Sequence, residues 1–159
     1  MKNLLLITLA ALTIGLASCG KSSTIPFNAA QQAVIDNTNI QAYIKAHNID
    51  SVKKDSTTGL YYKVLTPGTG AYPTKSSSVI VNYQGALLNG NIFSPEGGIS
   101  GTLTEFIAGW QIGVPYINTG GTILLLIPSQ YGYGNSSPGS AIPANSVLVF
   151  TITLVSFTN

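Results

Sequence analysis

From Gly59 to the C-terminus the chain consists of short apolar runs separated by clusters of glycine, proline and asparagine. Runs of this kind predict strands joined by turns, not long helices. Only the segment from Gly109 to Ile117 suits a helix, and Pro115 keeps that helix short. We therefore expect an α+β fold in which an antiparallel sheet packs on one short helix.

Four of the apolar runs are individually predicted as strands. A loop at Thr66-Pro67-Gly68-Thr69-Gly70 separates the first two strands. A hairpin turn is expected at Leu88-Asn89-Gly90-Asn91, where two asparagines flank a glycine. The four predicted strands are Leu60–Leu65, Val79–Leu87, Thr122–Ile127 and Val147–Phe157.

One predicted strand is apolar on both faces. Ile123 to Ile127 has five consecutive aliphatic residues, whereas a half-buried strand alternates apolar and polar residues. We therefore expect the second face to be covered as well. The helix predicted around Ile40 to Ile44 is the simplest candidate, and a partner protein is the alternative.

An N-terminal helix is expected within residues 29–50. Ile40, Tyr43 and Ile44 have helical spacing. Asp36, Asn37 or Thr38 is expected to cap the turn before them. A short amphipathic helix usually docks on its own domain, which we favour over a dimerisation helix. The lone His47 is expected at the polar edge of this helix, with no catalytic role.

The N-terminus has the pattern of an export signal. Lys2 precedes an apolar run from Leu4 to Leu16 that is too short to span a bilayer. The following Leu16-Ala17-Ser18-Cys19-Gly20 resembles the lipobox of bacterial lipoproteins, in which the cysteine is acylated. Acylated Cys19 would anchor the chain in a lipid bilayer, as an outer-membrane lipoprotein facing the periplasm. An ordinary signal peptide that leaves a free thiol is the alternative.

These features divide the chain into four parts. The small and polar residues after Cys19 suit a flexible tether. The expected parts are a signal peptide at 1–18, a lipidated tether at 19–28, a helical segment at 29–50 and the main domain at 51–159.

Composition excludes several classes of function. Only 8% of the residues are charged and the net charge is +2, with no arginine, which argues against nucleic acid as a partner. One histidine and one cysteine make a multi-ligand zinc site or a Ser-His-Asp arrangement improbable. Phosphate-binding glycine loops are also lacking. We therefore expect neither a metal nor a cofactor.

Aromatic and aliphatic residues recur in several separated segments that hold almost no ionisable group. They include Tyr83, Phe93, the cluster Phe106-Ile107-Ala108-Gly109-Trp110 and the motif Tyr131-Gly132-Tyr133-Gly134. This composition is typical of a small apolar pocket built on a sheet. Such a pocket suits a reaction without proton transfer, of which rotation about a peptidyl-prolyl bond is an example.

The ordered motifs resemble the FKBP-type peptidyl-prolyl isomerase domain from about Gly59 to Phe157. The N-terminal features also look like the secreted lipoprotein branch of that family in Bacteroidetes-like bacteria. The motifs that carry the resemblance are Val81-x-Tyr83-x-Gly85, Gly90-x-x-Phe93, Ile107-x-Gly109-Trp110-x-x-Gly113, Ile127-Pro128-x-x-Tyr131-Gly132-Tyr133-Gly134, Ile142-Pro143 and Leu148-x-Phe150.

The resemblance implies a half-barrel sheet of five to six strands that holds the substrate proline on its concave side. Trp110 would form the floor of the pocket, while the Tyr133 hydroxyl and the Ile107 N–H would hydrogen-bond substrate carbonyls. The implied catalytic residues are Tyr83, Phe93, Ile107, Trp110, Tyr133 and Phe150. The implied substrate-binding residues are Ser94, Glu105, Phe106 and Ile142.

The chain departs from the family pattern at three places. Ser94 stands where the family commonly has an aspartate that lines the pocket. An aromatic residue usual in the strand before Phe106 is replaced near Gly101, which predicts a thinner wall. The loop from Asn135 to Ala141 is small and polar, which predicts few substrate contacts.

The function implied is a monomeric prolyl isomerase that helps extracytoplasmic proteins to fold, with proline-containing polypeptides as its partners. Ser94 leaves open a catalytically weak binding module or chaperone that uses the same pocket. A third reading is a structural lipoprotein whose apolar strand docks a partner.

Overall fold

The structure, a computed structural model, describes residues 27–159. The expected signal peptide, Cys19 and nearly all of the expected tether lie outside the described residues. In chain order the elements are α1 (Ala29–Ala46), β1 (Lys53–Lys54), β2 (Tyr61–Thr66), β3 (Ser78–Leu87), β4 (Ile92–Thr102), α2 (Ala108–Gly113), β5 (Thr122–Ile127) and β6 (Leu148–Thr158).

The six strands form one sheet in which all neighbouring strands are antiparallel. Their order is β1-β2-β5-β6-β3-β4. This architecture, with α2 on the sheet and α1 before it, confirms the predicted α+β fold. The four predicted strands are all present, with ends within one residue of the predicted ones.

The edge strand β4 was not among the four strands predicted individually. It holds Pro95 and the pair Gly97-Gly98, residue types that are depleted in strands. It is a strand because Val79, Val81 and the rest of β3 pair with it over its length. A proline is tolerated there because an edge strand has one side without a partner.

Helix α2 lies directly against β5. A Cβ atom at Gly109 would lie 2.5 Å from the Ile127 side chain, and one at Gly113 would lie 2.5 Å from Leu125. The two glycines therefore let the helix approach the sheet more closely than any side chain would allow. A 3-10 turn at Val114–Tyr116 follows, so the helix is shorter than the predicted Gly109 to Ile117 because Pro115 ends it.

Helix α1 covers the opposite face of β5. Ile40 is fully buried in a cluster with Leu126 and Val149, and Leu124 and Tyr43 pack against that cluster. The prediction that this helix covers the second apolar face is confirmed. The reading of β5 as an exposed docking strand is wrong, because none of its residues is exposed.

Helix α1 begins at Ala29, seven residues before Asp36, so the predicted caps Asp36, Asn37 and Thr38 are wrong. The side chain of Asn28 is the N-cap and accepts a hydrogen bond from the Gln31 N–H at 3.1 Å. The first turns are rich in alanine and glutamine, which favour a helix but form no apolar stripe. A prediction based on apolar spacing therefore placed the start of the helix too late.

The C-terminal end of α1 is a Schellman motif. Asn48 adopts a positive φ of 51°. The Ile49 N–H donates to the Ile44 carbonyl at 3.0 Å, and the Asn48 N–H donates to the Lys45 carbonyl at 3.2 Å. His47 is the C-cap residue of this helix, and the centroid of its ring lies 4.1 Å from that of Tyr43.

Within residues 27–159, no helix combines the length and the apolar character that crossing a membrane requires. The same residues contain no group of three or more histidine, cysteine, aspartate or glutamate side chains placed to hold a metal ion.

Candidate active site in an apolar cavity

An open cavity of about 530 Å³ lies between the sheet, α2 and the loop that precedes β6. It brings together every site residue expected from the sequence except Cys19, which is outside the described residues. Its lining consists of Tyr83, Phe93, Ser94, Ile99, Glu105, Phe106, Ile107, Trp110, Tyr133, Pro138, Gly139, Ala141, Ile142 and Phe150.

The indole of Trp110 is held within the cavity by three aromatic rings. Its side chain is buried, with 4% of its surface exposed. The ring of Tyr83 meets it edge to face at 4.9 Å, and that of Phe150 does so at 5.3 Å. The Phe106 ring lies tilted at 5.1 Å. Edge-to-face packing of this kind fixes the orientation of the indole.

The walls formed by Phe93 and Phe150 depend on Gly85 of β3. The two phenylalanine rings contact each other edge to face at 5.5 Å. A Cβ atom at Gly85 would lie 2.4 Å from the Phe93 ring and 2.8 Å from the Phe150 ring. The glycine of the Val81-x-Tyr83-x-Gly85 motif therefore leaves the space that these two rings occupy.

The segment before α2 presents polar groups at the cavity. The carbonyl of Ile107 accepts from the N–H of Trp110 and that of Gln111, whereas within the described residues the N–H of Ile107 itself has no recorded acceptor. The Phe106 carbonyl accepts from Gln111 Nε2 at 2.8 Å. Glu105 accepts from the Thr102 N–H at 2.8 Å, and this capping box fixes the carboxylate.

A loop with its own hydrogen bonds forms the remaining wall and carries Tyr133, which is 38% exposed. A 3-10 turn at Ser129–Tyr131 leads into it. At its far end the Asn145 N–H donates to the Gly134 carbonyl at 2.8 Å. The Ser137 hydroxyl bridges the Gly139 and Ile142 carbonyls, at 2.7 and 2.6 Å. These bonds hold both ends and the middle of the loop.

The family model for the FKBP-type peptidyl-prolyl cis-trans isomerase matches residues 70–155, which include every residue that lines the cavity. The chain belongs to this family. An FkpA isomerase of Escherichia coli (strain K12) is 41% identical over 107 residues, which are 64% of this chain and 39% of that protein. The outer membrane protein MIP of Legionella longbeachae is 36% identical over 102 residues, which are 62% of this chain and 44% of that protein.

A solved structure gives the same assignment. The crystal structure of a peptidyl-prolyl cis-trans isomerase from Pseudomonas syringae pv. tomato superposes with a TM-score of 0.70 at 28% identity. The match covers 84% of this chain and 98% of that chain. The curated relatives are longer, since this chain spans only about two fifths of their length.

Within this FKBP domain, four lining residues were missed by the sequence reasoning: Ile99, Pro138, Gly139 and Ala141. Ile99 pairs with the buried Val81, so the register of β3 and β4 turns it toward the cavity. The other three lie between Tyr133 and Ile142, which were both expected at the pocket. The loop therefore forms more of the wall than predicted.

Gly101, near which a thinner wall was expected, lies beside two of the residues that line the cavity. A Cβ atom at Gly101 would lie 3.1 Å from the Phe106 ring and 3.0 Å from Glu105 Oε2. The Phe106 ring thus already occupies the space beside Gly101, and Ile99 supplies the neighbouring part of the wall.

The perturbed titrating groups of the FKBP domain lie outside the cavity. Burial and a hydrogen bond to Asp55 raise the pKa of Tyr116 to about 12. Hydrogen bonds from Thr58 and from Tyr116 hold the pKa of Asp55 below its ordinary value. Because strongly shifted pKa values often mark acid or base catalysts, their placement away from the cavity gives no support to a proton-transfer mechanism there.

Proposed function

We propose that this FKBP domain is a peptidyl-prolyl cis-trans isomerase that assists the folding of extracytoplasmic proteins. One observation carries the proposal: an aromatic cavity with the buried indole of Trp110 among its lining residues, in which Glu105 is the only acidic side chain. Such a site can bind a proline ring and alter the environment of its amide. Membership of the family supports the same activity.

The proposed mechanism needs no acid or base. Resonance gives the amide a rotational barrier of roughly 18–20 kcal/mol. Twisting the amide removes the charge separation that water stabilises in the planar form, so a cavity that excludes water favours the twisted state. A 10⁵-fold acceleration requires about 7 kcal/mol of preference for the twisted state over the planar one.

The lining residues have distinct proposed roles. The proline ring packs on Trp110, and the side chains of Tyr83, Phe93 and Phe150 exclude water around it. The Ile107 N–H, which has no recorded acceptor within the described residues, donates to one substrate carbonyl. The hydroxyl of Tyr133, an exposed residue of the loop, donates to another. The four substrate-binding residues complete the cavity, namely Ser94, Glu105, Phe106 and Ile142.

A protease-coupled assay with proline peptides tests the function on a chain that begins at Lys21. The proposal requires acceleration of cis-to-trans conversion at micromolar protein. The second candidate, a binding module or chaperone with little turnover, is motivated by Ser94 in the cavity wall. Absence of acceleration, with peptide binding still visible by NMR, would favour that second candidate.

Replacing Ser94 with aspartate is expected to raise the isomerase rate. A carboxylate at this position would supply a charged acceptor for tyrosine hydroxyls that line the same cavity, and charge-assisted hydrogen bonds are the stronger ones. We expect kcat/KM to increase about three- to tenfold, equivalent to ~1 kcal/mol. Ser94→Asn, similar in shape but uncharged, is the control. Equal rates for wild type and both variants would show that the carboxylate is not what the pocket lacks.

We also propose that the protein is a lipoprotein of the outer membrane, attached through acylated Cys19 and facing the periplasm. The lipobox-like sequence supports this, as does the similarity to an outer membrane protein of Legionella longbeachae. The proposed organisation is a signal peptide at 1–18, a tether at 19–28, a helical segment at 29–50 and a monomeric domain at 51–159. It corresponds to the Bacteroidetes-like lipoprotein branch.

Cys19→Ser is expected to release the protein from the membrane fraction. Stable attachment needs more than one acyl chain, and both chains depend on this cysteine if it is the lipidation site. Cell fractionation should find wild type in the membrane pellet, extractable by detergent, and the variant in the soluble fraction. Ser22→Ala is the neighbouring control. A Cys19→Ser variant that stays in the pellet would contradict the anchor.

A further inference from the structure

Asp36 is a buried acidic residue in the middle of α1. Only 1% of its surface is exposed, and among the described residues it has no salt-bridge partner. Its carboxylate accepts hydrogen bonds from the Ser129 N–H at 2.8 Å, the Ser129 hydroxyl at 2.7 Å and Gln32 Nε2 at 2.8 Å. Burial of a carboxylate is unfavourable unless such bonds compensate for lost water. A buried carboxylate at this position therefore depends on the hydrogen bonds from Ser129 and Gln32.

Ser129 is the residue at which the active-site loop begins. Its carbonyl accepts from the Gly132 N–H at 2.9 Å and from the Gly134 N–H at 2.8 Å. These two amides flank Tyr133. The Gly134 carbonyl in turn accepts from Asn145 at the far end of the loop. The N–H and the hydroxyl of Ser129 thus bind α1, whereas its carbonyl binds the cavity loop.

Docking of the helix does not by itself require a carboxylate. Ile40 packs α1 onto the outer face of the sheet through apolar contacts alone, one helical turn further along. An apolar residue at position 36 would avoid the desolvation of a charge, and such replacements are often neutral or stabilising. What the carboxylate adds is a fixed orientation for both donors of Ser129.

We propose that Asp36 is a positioning residue for the isomerase site. Through Ser129 it holds the loop that carries Tyr133 and the rim from Pro138 to Ile142 in its binding geometry. This inference rests on the proposed function. It assigns α1 a role in catalysis in addition to covering the sheet.

Asp36→Asn in the full chain, solubilised in detergent, tests the proposal. The amide keeps the shape, but the oxygen that it can turn toward Ser129 is neutral, so both hydrogen bonds from Ser129 lose their charge assistance. We expect kcat/KM to fall about tenfold, because small misplacements of binding groups reduce rates strongly. The affinity for a proline peptide, followed by the fluorescence of the single tryptophan, should fall as well. The amide resonances of Gly132, Gly134 and Gly139 should shift.

Ile40→Ala is the matched control on the same helix. It should lower the melting temperature at least as much, while kcat/KM and the loop resonances stay as in wild type at a temperature where both proteins are folded. If the two variants change kcat/KM equally, or if Asp36→Asn lowers only the melting temperature, the proposal is overturned. Should Asp36→Asn fail to fold, Ser129→Ala removes only the hydroxyl bond and is expected to shift the same resonances.

The two proposals fail in different ways. If the wild-type protein does not accelerate isomerisation, the proposed function fails, but loop resonances and peptide affinity still report on Asp36. If wild type is active and Asp36→Asn is equally active with unchanged resonances, only the positioning role fails.

Discussion

Trp110→Leu is expected to lower kcat/KM for a proline peptide at least 100-fold, equivalent to about 2.7 kcal/mol of lost transition-state stabilisation. The indole is the surface on which we place the proline ring, and its orientation is set by Tyr83 and Phe150. Leucine is smaller and lacks the flat face, so the proline ring would lose contact and water would enter. The protease-coupled assay measures the rate, and NMR measures peptide binding.

Tyr62→Leu is the matched control for that substitution. Tyr62 stacks on Tyr116 at 4.3 Å and does not line the cavity, so its loss should affect stability more than rate. Circular dichroism should show that both variants remain folded. If Trp110→Leu retains wild-type peptide binding and rate, the cavity is not the site of function.

A chain that begins at Ile49, and so lacks α1, is expected to lose most of its stability and to self-associate. Removal of Ile40, Tyr43 and Ile44 uncovers Leu126 and Val149. At about 1.5–3 kcal/mol for each buried side chain, the loss is roughly 5 kcal/mol. That is comparable to the total stability of a typical domain, which is about 5–15 kcal/mol.

Light scattering and urea unfolding measure the outcome for the shortened chain. The full chain with Val34→Ser is the control, because Val34 is on α1 but 66% exposed. It should unfold like wild type. A shortened chain that remains monomeric, soluble and as stable as the full chain would contradict the covering role of α1.

Much of the fold was predictable because it depends on local patterns. Short apolar runs between clusters of glycine, proline and asparagine identified β2, β3 and β6. The unbroken apolar run in β5 correctly indicated that both of its faces are covered. Strand β4 was not identified from its own residues, because Pro95 and Gly97-Gly98 argue against a strand and only pairing with β3 makes it one. The residues of β4 alone do not show that β3 is available to pair with them.

The residues of the candidate site were predictable from the ordered motifs. The residues that complete its wall or hold its loop in place were not. All the expected pocket residues line one cavity, but Ile99 needed the register of two strands to be recognised. Asp36 was interpreted as a helix cap, since aspartate favours that position. Its burial against Ser129, 93 residues along the chain, depends on tertiary packing that sequence spacing does not reveal.

Neighbouring residues of β5 belong to two different layers of the molecule. Leu125 and Ile127 meet the glycines of α2, whereas Leu126 meets the apolar side of α1. The outer layer can therefore be exchanged with little change to the inner one, provided that the replacement supplies an apolar surface and an acceptor for Ser129.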